Sequence, residues 1–93
     1  MLKNNEYYDG KVKSIGFENA DGIATVGVME AGEYEFGTST DEYMTVTSGS
    51  MYVLLPGETE WKKFVMNDEF FVGKDKSFKV KSEDPAAYLC IYK

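Results

Sequence analysis

Residues 32–49 read GEYEFGTSTDEYMTVTSG. Successive side chains of an extended chain point to opposite faces, so Tyr34 and Phe36 share one side of the first run and Glu33 and Glu35 the other. After the polar turn TSTDE, the run YMTVTSG resumes with aromatic and β-branched residues and stops at a Ser-Gly pair, which favours reversal. Strand, hydroxyl-rich turn and strand follow one another too closely to admit a helix, and this spacing sets the reading of the rest of the chain.

Working outward, runs of the same kind recur as KVKSIGF (11–17), IATVGVM (23–29), SMYVLLP (50–56), WKKFV (61–65), EFFVG (69–73), SFKVKS (77–82) and AAYLCIY (86–92). Between them lie NADG, EAGE, SGS, PGETE, MND, GKDK and SEDP, which are turn chemistries. No window carries a helical period. The reading is all-β, about nine strands with short connections, in a closed barrel or sandwich that hides its strand edges. VTSGS followed by MYVLLPG reads as a hairpin with Ser48, Gly49 and Ser50 at its corner. No linker, repeat or low-complexity run interrupts residues 1–93, which are expected to form one domain.

Composition bounds the function. Hydrophobic residues make up 43% and charged ones 28%, a globular balance. The net charge of −6 is carried with ten lysines and no arginine, which disfavours a nucleic-acid polymer as partner while leaving a free nucleotide or phosphate open. A chain of 93 residues buries a modest fraction of its surface, so a partner subunit would help it. A single cysteine and no leader-like N-terminal pattern point to the cytoplasm, and no apolar run approaches a membrane span. Cys90, in AAYLCIY, reads as a buried small hydrophobe, because no histidine or nearby cation would generate its thiolate.

The segment 32–49 also resembles the first cupin motif, with Glu42 and Gly49 in its last two places. Counting back, Phe36 and Thr38 stand where the motif has histidines, and in the second motif Phe78 stands in the histidine place. A lone carboxylate among neutral neighbours is a poor site for a divalent transition metal, so neither metal nor other cofactor is expected. The resemblance implies an all-β fold of the cupin type, a small double-stranded β-helix or jelly roll.

A closer resemblance covers nearly the whole chain. GKVKSIGF (10–17), EYMTVTSG (42–49) and YLC (88–90), with LKNNEYYD, GEYEF and VLLPG, are similar to the small single-domain cupins known as pyrimidine/purine nucleoside phosphorylases. That likeness implies a homodimer that cleaves nucleosides with phosphate to free base and pentose 1-phosphate.

Residue chemistry offers candidates for such a site, each with a structural alternative. Glu42 suits gripping ribose hydroxyls or steadying positive charge on the sugar, and equally a hydrogen-bonded carboxylate at a strand start. Thr38, Ser39 and Thr40 could donate to phosphate oxygens, with Thr38 placed beside Glu42 in the reaction, or simply build a turn. Phe36 and Phe78, with Tyr8 at the mouth, offer ring faces that any nucleobase can stack on, or belong to the core. Lys13 and Lys11, on one face of the motif strand, are the candidate phosphate ligands, or a solvated face. Gly10, Gly16 and Gly27 mark either close backbone approach or bulges. The rival functions are a non-catalytic small-molecule-binding cupin and a structural dimer module with Trp61 and Tyr52 at the subunit contact.

Overall fold

The computed structural model describes residues 2–93. Its described residues form ten strands: β1 (Lys3–Tyr7), β2 (Val12–Asn19), β3 (Gly22–Met29), β4 (Gly32–Gly37), β5 (Glu42–Ser48), β6 (Ser50–Leu54), β7 (Lys62–Val65), β8 (Glu69–Val72), β9 (Ser77–Ser82) and β10 (Ala86–Tyr92). All pair antiparallel, in a six-stranded sheet of order β1-β2-β3-β10-β5-β8 and a four-stranded sheet of order β4-β9-β6-β7. The all-β expectation holds. No helix is long and apolar enough to cross a membrane among the described residues.

Two sequence readings change. The strand β1 was not expected: KNNEY has no apolar run, and it is an exposed edge strand that pairs only with β2. The hairpin at Ser48, Gly49 and Ser50 is not formed. Ser48 still pairs with Ala87 in the large sheet, whereas Ser50 already pairs with Val65 in the small one. Gly49 carries the chain from one sheet to the other at φ +77°, and a Cβ there would stand 3.1 Å from the Pro85 carbonyl oxygen. The left-handed backbone and the close carbonyl both call for glycine.

The core lies between the two sheets. Alternate residues of β5 and β10 point inward, so Met44, Val46, Ala86 and Cys90 are buried, and from the other sheet Met51, Val53, Phe78 and Val80 meet them. Each fully buried side chain of this size contributes about 1.5–3 kcal/mol. Packing fills one end of the sandwich and leaves the other hollow.

Candidate active site

The hollow is a cavity of about 550 Å³ between the inner face of β2, β3, β10 and β5 and the strands β4 and β9. Its floor is set by alternation along β10: Tyr88, Cys90 and Tyr92 share the inward face. Tyr88 lies flat over β3 at Gly27, where a Cβ would stand 2.5 Å from the phenol oxygen. Its hydroxyl reaches toward Ser14 of β2, and burial pushes the phenol up to about 12. Burial likewise raises Tyr92, whose hydroxyl shares a 3.0 Å hydrogen bond with Thr25. Both phenols therefore stay protonated and able to donate.

Glu42 enters from the start of β5, half-buried, directly across from Tyr92. Burial raises its carboxyl above the usual 4.5, against the lowering effect of the Cys90 thiol, which donates to Oε1 at 3.5 Å. Burial and the Glu42 charge in turn push the Cys90 thiol up to about 12, so it is a neutral neighbour and no thiolate nucleophile.

The opposite wall is aromatic. Phe36 and Phe78 pair across β4 and β9 with ring centroids 5.8 Å apart. Tyr7, at the end of β1, and Tyr8, in the turn that follows, meet Phe36 edge-on at 6.4 and 6.0 Å. Tyr8 also latches the mouth: its hydroxyl donates to the Glu35 carbonyl and accepts the Glu35 N–H at 2.9 Å. Edge strand β4 is thereby tied to the arm of the other sheet. Tyr8 and the next residue, Asp9, sit at φ 54° and 56°, a left-handed pair that non-glycine residues rarely adopt.

The candidates from sequence separate clearly. Glu42, Phe36, Phe78, Tyr8 and Ser39 all line the cavity. Thr38 does not: its hydroxyl donates to the Gly73 carbonyl at 2.7 Å and accepts the Lys76 N–H at 2.9 Å, which pins the turn. The Thr40 Oγ1 is buried without a protein partner and away from the cavity wall. Neither lysine lines the cavity. Lys13 points outward, 3.6 Å from Glu6, because Val12 and Ser14 occupy the inner face of β2. Lys11 falls in the turn before β2 and borders a separate shallow hollow beside Tyr8 and Glu33. Tyr88, Tyr92 and Ser14 were missed, although the alternation of AAYLCIY already set positions 88, 90 and 92 on one face. Trp61 and Tyr52 are half-buried, and Lys81 lies over both, 4.1 Å from the Trp61 ring centroid.

A cupin cage for a transition metal does not fit these residues. Phe36, Thr38 and Phe78 occupy the places of the imidazole donors, the chain has no histidine, and no group of three His, Cys, Asp or Glu side chains could hold an ion among the described residues.

Comparison with known proteins agrees with this architecture. The fold is shared with an RmlC-like cupin from Shewanella frigidimarina, at TM-score 0.75 and 18% identity over 96% of this chain and 80% of that one. A protein of unknown function from Vibrio parahaemolyticus matches far more closely, at TM-score 0.93 and 41% identity over 97% of this chain and 96% of the other. Curated proteins named pyrimidine/purine nucleoside phosphorylase are 56% identical in Shewanella pealeana, over 99% of both chains, and 52% identical in Pseudomonas syringae, over the whole of both. The family model for pyrimidine/purine nucleoside phosphorylase matches residues 2–92, and the chain belongs to that family.

Proposed function

We infer that this protein is a broad-specificity nucleoside phosphorylase, a pentosyltransferase that moves the pentose of purine and pyrimidine nucleosides onto phosphate. The reading is carried by full-length similarity to relatives that bear that name, joined to one cavity with an aromatic wall and a half-buried carboxylate. Stacking needs only a π surface, so Phe36, Phe78 and Tyr8 accept bases of either ring size. Glu42 grips the ribose side and steadies positive charge as the sugar gains oxocarbenium character. The hydroxyls of Ser14, Ser39, Tyr88 and Tyr92 supply neutral donors to the oxyanion. Positioning of three groups in one chamber supplies much of the rate.

In this reading phosphate is a co-substrate and no metal or cofactor takes part. The protein works in the cytoplasm as a homodimer. Support for the dimer comes from the outer face of the large sheet, where Ile15, Val26 and Leu89 lie side by side in register, as do Ile91, Tyr43 and Phe71. Val26 is 46% and Phe71 49% exposed, in a connected apolar face of the kind that subunits cover.

Incubating the purified chain with uridine, guanosine and inosine, with and without phosphate, tests the activity. Base released only in phosphate is the expected result. No release from folded protein would favour a binding cupin or a structural module, and release independent of phosphate would indicate a hydrolase.

A further inference from the structure

The chain has ten lysines and no arginine, yet among the described residues no cation lines the cavity. Other partners hold several of them: Lys13 lies by Glu6, Lys62 by Glu58, Lys81 over Trp61 and Lys93 over Tyr43. The walls instead carry the carboxylate of Glu42, while Glu35 borders the cavity from β4 with its side chain on the exposed face of that strand. An oxyanion entering such a chamber meets negative charge and neutral hydroxyls, the reverse of an arginine or lysine clamp.

The groups that share Glu42's surroundings can be named. From β10 come the Cys90 thiol and the Tyr92 phenol, and from β3 the Thr25 hydroxyl bonded to Tyr92. Glu35 of β4 and Tyr7 of β1 border the same cavity, and the inward side chains of β8 and β9 are Phe70, Val72, Phe78 and Val80. Among the described residues no cation lines the cavity to neutralise Glu42, a carboxylate with acceptor capacity beyond the Cys90 bond.

We propose that the cavity takes its oxyanion as a protonated monoanion, with a P–OH group donating to Glu42 and the hydroxyls of Tyr88, Tyr92 and Ser14 donating to the remaining oxygens. This rests on the phosphorylase reading and adds the ionic form of the co-substrate. Dihydrogen phosphate and its arsenate counterpart fit; sulfate, a dianion with no proton to give, leaves Glu42 facing bare oxygen. The proton balance agrees. As an oxygen of dihydrogen phosphate bonds to the anomeric carbon and the glycosidic C–N bond breaks, the nitrogen keeps the electron pair and one phosphate proton passes to it. Pentose 1-phosphate leaves as a monoanion, and the charge is minus one on both sides.

Three measurements on the full chain test this. Between about pH 6 and about pH 8.5 the KM for phosphate rises roughly tenfold per pH unit beyond the second ionisation of phosphate, while kcat changes little. Sulfate at about ten times the phosphate KM leaves the rate unchanged, and in Glu42→Gln, whose amide can donate, sulfate competes with phosphate for binding. Calorimetric titration with each anion gives heat from phosphate and none from sulfate in the wild type. A flat KM profile, or sulfate binding as tightly as phosphate in the wild type, overturns the proposal while leaving phosphorolysis standing. Absence of base release would instead strike the phosphorylase reading, and calorimetry then decides the anion question alone, with no phosphate binding counting against it.

Discussion

The Tyr88 ring occupies the space that a side chain at position 27 would need. A Cβ on Gly27 would stand 2.7 Å from Tyr88 Cε1 and 2.5 Å from its hydroxyl oxygen. Glycine is required by the ring, not by the backbone, since Gly27 is absent from the positive-φ residues. Gly27→Ala must therefore lift the ring into the cavity. The expected cost is about 1–3 kcal/mol of stability, as for other overpacked sites, with a rise in KM for nucleoside. Thermal unfolding and steady-state kinetics of the variant check both effects.

Glu42→Gln keeps the shape of the side chain and removes its charge. Turnover is expected to fall about 10²–10⁴-fold, in the range of lost acid-base and electrostatic groups, with the fold intact by circular dichroism. Wild-type rates in this variant would remove Glu42 from the reaction.

Stability linked to Glu42 has a definite sign. Its carboxyl is raised in the folded chain above 4.5, chiefly by burial. The native state therefore holds this proton more tightly than the unfolded one, and stability declines as pH climbs from the unfolded value through the folded one. Glu42→Gln lacks that decline. Urea midpoints should show the variant gaining on the wild type as pH rises above about 4.5, and a constant difference would count against a raised carboxyl.

Cys90 is buried and its thiol is pushed up to about 12. A disulfide-exchange reagent at neutral pH should leave it untouched in the native protein and modify one thiol per chain in guanidinium.

Tyr8→Phe removes both hydrogen bonds that the phenol makes to the Glu35 backbone. Loss of these bonds at an exposed site is expected to cost about 1 kcal/mol and to speed amide exchange at Glu35, whose N–H loses its partner. Hydrogen exchange followed by NMR reads this residue by residue.

Most of the fold could be read from the two-residue period, because a strand with one face on a core must alternate. The same period made Tyr34 inward and Glu35 outward, and it set Phe78 and Val80 together. It says nothing about which sheet a strand joins. Thus the chain's crossing at Gly49 looked like a hairpin corner, since Ser-Gly serves both. The strand β1 escaped because an edge strand open to solvent needs no apolar face.

The lining of the cavity was legible where motif spacing fixed direction, at Glu42, Phe36 and Phe78, and less so where chemistry alone suggested a role. Lys11 and Lys13 were attractive as cations for phosphate. The burial of Val12 and Ser14, however, turns Lys13 to solvent, and no lysine of the described residues lines the chamber. Thr38 was attractive as a hydroxyl beside Glu42, but the turn it sits in uses that hydroxyl for two backbone partners. Such competition from local hydrogen bonds is set by tertiary geometry and has no signature in spacing.

The most direct test follows both products of one reaction. With inosine or uridine and excess phosphate, the purified chain should release free base and pentose 1-phosphate in equal amounts. Free pentose in place of its phosphate, or folded protein that releases no base, would contradict the assignment of the cavity to phosphorolysis.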